Sequence, residues 1–152
     1  MSKFKIYAKS ILIPVIVGGI VGILISSFID YNTLNKPFLS PPSMVFPIVW
    51  TIIYILMGIS YGILDSKKMV DDNINLIYYF QLIVNALWSI FFFIFKWRFF
   101  SFLWIILLDI LVISMIKQFY KKDKLAGWLQ VPYIVWSLFA SYLNLFIYIL
   151  NK

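Results

Sequence analysis

Five long hydrophobic runs, separated by short polar segments, make up nearly the whole chain. Each run is continuously apolar rather than alternating, and each has the roughly 20 residues that a helix needs to cross a bilayer. Because the bilayer offers backbone polar groups no other partner, such runs form helices. The pattern predicts an all-α integral membrane protein, a five-transmembrane-helix bundle. It forms a single domain over residues 1–152, with spans at about 9–29, 44–64, 76–95, 99–119 and 126–150.

The composition points to the same solvent and excludes several kinds of enzyme. The chain is 63% hydrophobic and only 12% charged, too few charges to cover the apolar surface of a soluble domain. It contains neither cysteine nor histidine. This excludes a disulfide framework, a thiol nucleophile, a zinc hydrolase and a Ser-His-Asp enzyme, and we expect no metal site.

The net charge of +7 comes from lysines and one arginine placed at the ends of the apolar runs. That placement favours contact with anionic lipid over a nucleic-acid partner. Five spans put the termini on opposite sides, and nine positive charges then share the side of the N-terminus. The other side carries four: Lys36, Lys96, Arg98 and Lys152. In a bacterial plasma membrane the positive-inside rule predicts a cytoplasmic N-terminus and an external C-terminus.

The connection between the first two spans is rich in proline. It runs from Asp30 to Ser43 and contains Pro37, Pro41 and Pro42. Prolines stop a helix and stiffen the chain, so one interpretation is a rigid turn. The segment is long for a turn between packed helices, and the other interpretation is a lid over the mouth of the bundle. We expect Ser43 to cap the second helix, with Pro47 in its first turn.

Three segments resemble the signature of the TspO/translocator protein family, the tryptophan-rich sensory proteins or peripheral benzodiazepine receptors. "LNKPFLSPPSMVFPIVWTIIYILMG" supplies Lys36, Pro37, Pro41, Pro42, Pro47, Trp50 and Tyr54. "YYFQLIVNALWSIFFF" supplies Gln81, Asn85, Trp88, Phe92 and Phe93. "VPYIVWSLFASYLN" supplies Pro132, Tyr133, Trp136, Phe139, Ala140, Leu143 and Asn144. The three blocks fall in the family's order on the second, third and fifth spans.

The resemblance implies a pocket beneath the first loop, often in a homodimer. It implies porphyrin, such as protoporphyrin IX or haem, as ligand or substrate, with no cofactor required. Some members bind sterols or benzodiazepine-site ligands. Some bacterial members degrade protoporphyrin in light through two tryptophans, which match Trp50 and Trp136. The family's first-loop tryptophan falls at Leu39, which can neither stack nor donate an N–H.

Helix geometry alone, without the resemblance, also places these residues on shared helix faces. Trp50 and Tyr54 are four apart on the second helix, and two further faces lie on the third and fifth helices. Each face alone is also compatible with ordinary helix packing. The candidate ligand-binding residues are Pro41, Pro42, Trp50, Tyr54, Gln81, Asn85, Trp88, Trp136, Phe139, Ala140 and Leu143, with Trp50 and Trp136 catalytic if the protein is an enzyme.

Four positions stay open between packing and function. Asn85 and Asp109 are polar within the membrane, where such groups are costly unless paired. Gly18 and Gly22 form a G-x-x-x-G pattern, which suits either a dimer face or close packing inside the bundle. The leading hypothesis is a porphyrin sensor, carrier or scavenger, and the second is an enzyme for light-dependent oxidation of protoporphyrin. A transporter is disfavoured, because five spans cannot form an inverted repeat, and a purely structural partner is the fourth hypothesis.

Overall fold

The computed structural model describes residues 2–152, and over this range the chain is helical with short connections. Five segments are long and apolar enough to cross a membrane, which confirms the predicted fold class. The helices are α1 (Lys3–Ile25), α2 (Val45–Ser66), α3 (Asp72–Ser89), α4 (Arg98–Lys122), α5 (Lys124–Trp128) and α6 (Val131–Asn151). A π-helical turn, Ile90–Ile94, extends α3, while α5 and α6 together form the fifth span.

Polar caps outside the apolar runs set where two helices begin. The Ser2 hydroxyl accepts a hydrogen bond from the backbone N–H of Lys5, so α1 begins well before the apolar run. The Asp71 carboxylate does the same for α3 by accepting from Ile74 N, at 2.9 Å. The expected Ser43 cap on α2 was wrong. The Phe46 N–H bonds to the Ser43 backbone carbonyl instead, and α2 begins without a side-chain cap.

The fifth span is interrupted at Leu129 and Gln130, between α5 and α6. Gln130 Nε2 donates to Ser60 Oγ of α2 at 2.7 Å, and that hydroxyl donates to the Ala126 carbonyl at 2.6 Å. A carbonyl freed at the helix break thus finds its partner on a neighbouring helix. This link joins the fifth span to α2 at the end of the bundle that carries the N-terminus.

A close approach between two helix backbones lies where α1 crosses α2 at Gly58. A Cβ atom placed on Gly58 would lie 2.4 Å from Ile11 Cα and 2.6 Å from the Ser10 carbonyl oxygen. Pro14 has no N–H, so within α1 the Ser10 carbonyl lacks its usual donor and faces the Gly58 backbone. Gly62, one turn on, receives the ring of Tyr7. The G-x-x-x-G motif that brings the backbones together is therefore Gly58–Gly62.

From this crossing towards the connection that joins them, α1 and α2 move apart. Gly18 meets the side chain of Tyr54 and not the α2 backbone. A Cβ on Gly19 or Gly22 would have no described atom within 4 Å. The interpretation as close packing inside the bundle therefore applies to Gly18, whereas Gly22 borders open space. We call residues 26–44 the first loop, and the end of the bundle that carries it the loop end.

Gly58→Ala should destabilise the protein by about 1–3 kcal/mol, because the added methyl group overpacks a backbone contact that cannot relax. Gly19→Ala, in open space on α1, is the matched control and should leave stability unchanged or slightly raised. Thermal unfolding of the two variants in the same detergent measures the difference. Equal unfolding temperatures would contradict the assigned helix crossing.

Candidate functional site

A cavity of about 410 Å³ lies inside the loop end of the bundle. Residues of α1, α2, α3 with its π-helical turn, and α6 form its walls, and Ile29, Tyr31 and Ser43 of the first loop reach it from above. The volume is in the range of small-molecule sites, which spans about 300–1,000 Å³. Among the candidate residues, those that line the cavity are Trp50, Tyr54, Trp88, Ala140 and Leu143.

Aromatic rings in mutual contact form the inner end of the cavity. Trp50 stacks on Tyr54 with ring centroids 5.9 Å apart, and its ring lies 6.5 Å from that of Trp88. Trp88 stacks in turn on Phe92 at 5.3 Å. The indole N–H of Trp88 donates to Asn144 Oδ1 at 2.9 Å, which fixes the ring between α3 and α6. The cavity therefore offers flat apolar surfaces in a fixed arrangement.

A chain of hydrogen bonds supports these rings from behind. The Tyr54 hydroxyl donates to Asn85 Oδ1, Asn85 Nδ2 donates to the Tyr133 hydroxyl, and Tyr133 donates to Gln81 Oε1, each at 2.7 Å. Gln81 Nε2 completes the chain by donating to the Tyr78 carbonyl at 2.9 Å. Asn85 and Gln81 thus lie behind the wall and do not line it. Because the hydrogen of Tyr54 is committed to Asn85, its hydroxyl can only accept a hydrogen bond from the cavity.

Neither Trp136 nor Phe139 lines the cavity: Trp136 lies one ring behind its wall, and Phe139 packs on Trp136 with ring centroids 5.5 Å apart. The ring of Phe46 lines the cavity and stands between Tyr31, at 5.0 Å, and Trp136, at 5.6 Å. The Trp136 indole N–H is buried and has no hydrogen-bond partner within residues 2–152. Contact of Trp136 with a ligand therefore requires Phe46 to move, and a role for Trp136 remains a prediction from the resemblance.

The first loop forms the roof of the cavity, but Pro41 and Pro42, two of the expected ligand-binding residues, do not line it. The Tyr31 hydroxyl donates to the Pro41 carbonyl at 2.7 Å, so Pro41 holds a lining residue without lining the cavity itself. Pro42 is exposed beside it. Leu39, at the position of the family's loop tryptophan, has a left-handed backbone (φ 72°), and 66% of its surface is exposed. It does not line the cavity either.

Sequence reasoning missed the contribution of α1 and of Phe46. Val15, Gly18, Val21, Gly22 and Ile25 form one wall of the cavity. These residues carry no polar or aromatic signature, so the only available signal was the run of glycines at 18, 19 and 22. Small residues let a helix pass close to a neighbour or leave space beside it, and the sequence does not decide between the two.

Asp109 lies away from the cavity, between α4 and α6. It is 4% exposed, and its carboxyl group is hydrogen-bonded to the hydroxyls of Ser137 and Ser141 on α6. Pairing with two hydroxyls meets the requirement for a polar group inside a membrane bundle. Of the two interpretations of Asp109, the structure supports the structural one.

Polar contacts fasten the first loop to the rest of the loop end at several points. Asn35 and Asn151 exchange two backbone–side-chain hydrogen bonds, of 2.9 and 2.8 Å. The Tyr142 hydroxyl donates to the Phe38 carbonyl at 2.6 Å. Lys36 Nζ donates to the carbonyls of Tyr31 and Leu34 within the loop, both at 3.1 Å. The roof is thus attached to α6 as well as to the two helices that it connects.

An ion pair attaches the start of the first loop to the turn between α3 and α4. Asp30 Oδ1 lies 2.8 Å from Arg98, and Asp30 Oδ2 lies 3.1 Å from Lys96. Partial burial works to raise the pKa of Asp30, but the hydrogen bonds from Arg98 and Lys96 outweigh it and lower the pKa. The carboxylate is therefore held in its charged form at neutral pH.

Five membrane-crossing segments, four of which enclose an aromatic cavity roofed by the first loop, define an integral membrane protein with an internal cavity. The model of the TspO/MBR family matches residues 10–150. The chain is 40% identical over 122 residues to the tryptophan-rich protein TspO of Archaeoglobus fulgidus, covering 80% of this chain and 79% of that one. It is 33% identical over 136 residues to protein CrtK of Rhodobacter capsulatus, covering 88% and 85% respectively. The chain therefore belongs to the TspO/MBR family.

The Asp30 ion pair predicts how the attachment of the first loop depends on pH. A lowered carboxyl pKa contributes stability above the ordinary value of 3.8 and loses it as pH falls through the lowered value. Hydrogen exchange of residues 30–44, corrected for intrinsic rates, should therefore be constant between about pH 7 and pH 5. Asp30→Asn should speed this exchange at pH 7, whereas Asp72→Asn, at the opposite end of the bundle, should not. Loosening of the loop already at pH 6 would contradict this role of Asp30.

Proposed function

We propose that this protein binds porphyrins, such as protoporphyrin IX and haem, in the cavity at the loop end, and acts as a tetrapyrrole sensor or scavenger. The observation that supports this most strongly is the set of rings formed by Trp50, Tyr54 and Trp88 inside a largely apolar cavity. A flat conjugated ligand gains dispersion and quadrupole interactions with such rings. The cavity volume of about 410 Å³ suits a small molecule that fills it and extends beneath the roof.

The charges at the loop end suit the carboxylates of a porphyrin. Lys36 lies 4.9 Å from the centre of the Tyr31 ring, and that ring lines the cavity. Lys96 and Arg98 lie beside Asp30 in the adjoining turn. A ligand with its ring system among the tryptophans and its propionates at the loop end would place each part in a matching environment.

The donor groups of the cavity favour recognition of the porphyrin ring over coordination of iron. Among the described residues, the walls present no methionine or carboxylate, and the chain has no histidine or cysteine. The hydroxyls of Tyr31 and Tyr54 are the phenols on the wall, and each donates to a protein partner. We therefore propose that haem and metal-free protoporphyrin bind through the same ring contacts, with no cofactor required.

The wider properties implied by the family are also part of this proposal. A "Tryptophan-rich sensory protein" of Cereibacter sphaeroides is 34% identical over 115 residues, and its name supports a sensory role. The charge distribution supports a cytoplasmic N-terminus and an external C-terminus in a bacterial plasma membrane. Homodimer formation and binding of sterol-like or benzodiazepine-site ligands belong to the same family expectation.

Titration of the purified protein with protoporphyrin IX and with haem tests the proposal. We expect similar affinities for both, and Trp50→Leu should weaken binding of each by about tenfold, since a stacked ring contributes about 1–1.5 kcal/mol. Trp128→Leu is the control, because Trp128 is 62% exposed and does not line the cavity. Absence of saturable binding would contradict the proposal. A low-spin, six-coordinate haem spectrum would contradict recognition through the ring.

Enzymatic photo-oxidation of protoporphyrin is the second candidate, and the position of Trp50 favours it. Its indole lies on the cavity wall, where it would pass one electron to a photoexcited porphyrin, which would hand that electron to molecular oxygen to give superoxide. The oxidised indole would recover an electron from the porphyrin, and the porphyrin radical cation would combine with superoxide to give the oxidised product. Trp88, Tyr54 and Tyr133 lie within 6.5 Å of Trp50, centroid to centroid, and could share its oxidised state in the interval. Trp136, behind Phe46, would take part only after that ring moved.

Photobleaching of bound protoporphyrin, measured separately from binding, distinguishes the enzyme from the binding protein. If Trp50 supplies the electron, Trp50→Phe should slow product formation several-fold more than it weakens binding, and Trp136→Phe should have the smaller effect. Leu39→Trp restores the family's loop residue, and because position 39 lies outside the cavity it should change turnover less than Trp50→Phe does. Equal bleaching in both Phe variants and in protein-free detergent would rule out the enzyme and leave the binding function.

A further inference from the structure

Five exposed residues line the cavity, and four of them lie on two neighbouring helices, while the fifth, Ile29, belongs to the first loop. Gly19 and Gly22 lie on α1, and Pro47 and Thr51 lie on α2, the neighbouring helix. All four line the cavity, and all four are also exposed. A residue that meets both surfaces marks an opening. These residues therefore outline a gap between the loop-end halves of α1 and α2.

The packing of the two helices explains why the gap lies there. The backbones touch at Gly58 and separate above it, where the atoms nearest to a Cβ built on Gly18 belong to the ring of Tyr54. Gly19 and Gly22 add no side chain to close the space, and no described atom lies within 4 Å of a Cβ built at either position. The Thr51 hydroxyl donates to the Pro47 carbonyl of its own helix at 2.6 Å. The edge of the gap is therefore apolar.

The aqueous side of the cavity is closed more firmly than this gap. The first loop is joined to α6 by the Asn35–Asn151 pair and by Tyr142, and to the α3–α4 turn by Asp30. Entry from water would break several of these contacts. Entry between α1 and α2 would break none of them.

We propose that the gap between α1 and α2 is the entrance of the cavity, and that its ligand arrives sideways from the bilayer. The inference rests on the proposed function for the ligand, a flat apolar molecule such as a porphyrin dissolved in the membrane. Such a ligand stays in apolar surroundings throughout, and its carboxylates can remain at the headgroup level. The four gap residues lie within the segments long enough to cross the membrane, at the half nearer the first loop.

Binding kinetics in proteoliposomes test the entrance. Thr51→Phe and Gly22→Leu should each slow both uptake and release of protoporphyrin by about tenfold, because an obstructed entrance slows both directions, whereas a changed wall contact alters mainly release. Ile52→Phe is the matched control, because Ile52 is 51% exposed on the same helix and does not line the cavity. Asn151→Ala, which loosens the roof, should leave both rates unchanged. Faster exchange in Asn151→Ala with unchanged rates in the gap variants would overturn the proposal and make the loop the entrance.

A measurement without porphyrin separates failure of this inference from failure of the proposed function. Lipids with brominated acyl chains quench the fluorescence of nearby indoles. The part of this quenching that is lost in Trp50→Phe measures the access of acyl chains to Trp50. An open gap predicts that Thr51→Phe and Gly22→Leu reduce this part and that Ile52→Phe does not. If the gap variants protect Trp50 from quenching but no porphyrin binds, the gap is open to acyl chains and the proposed porphyrin function is wrong. Equal quenching in all the variants would overturn the opening itself.

Discussion

The contact between the backbones of α1 and α2 at Gly58 determines most of what is distinctive in this bundle. Lipid tails are as apolar as leucine side chains, so helices in a membrane associate through close packing and polar contacts and not through a hydrophobic effect. Gly58 provides that close packing, and Pro14 leaves a carbonyl on α1 that faces it. Because the two helices touch at this level, they are apart at the level of Trp50, and the cavity occupies the space between them.

A second set of constraints keeps the cavity from collapsing. Side chains of α3 and α6 are linked across the bundle by hydrogen bonds, through Asn85 and Tyr133 and through Trp88 and Asn144. An unpaired polar group in this environment costs about 1–3 kcal/mol, so each link resists a shift of one helix along another. The aromatic rings therefore keep their positions beside an open volume. A site of this kind is organised before a ligand arrives, and little binding energy is lost in ordering side chains.

Much of the fold followed from the sequence, because the bilayer leaves few alternatives. The length of the apolar runs and the placement of the charges were sufficient to predict five membrane-spanning helices. The three motif blocks were sufficient to predict the family. The interruption between α5 and α6 could not be predicted, since it depends on Gln130 reaching Ser60, seventy positions away in the chain. The helical period placed Trp50 and Trp88 on helix faces that do line the cavity. It could not show that Phe46 would stand in front of Trp136, because that depends on rotamers and on the path of the first loop.

The small buried surface of α1 divides the bundle into parts of unequal stability. Only Ser10, Pro14, Val21 and Ile25 of this helix are buried, whereas each of the other spans contributes at least seven buried residues. Elements with few buried contacts open locally at a free energy below that of global unfolding. The helix that forms one wall of the cavity packs mainly against α2, so it can tilt as a whole about the contact at Gly58, whereas fraying would expose its backbone groups to lipid. Fluctuations of this wall are thermodynamically separate from the fluctuations that would unfold the protein.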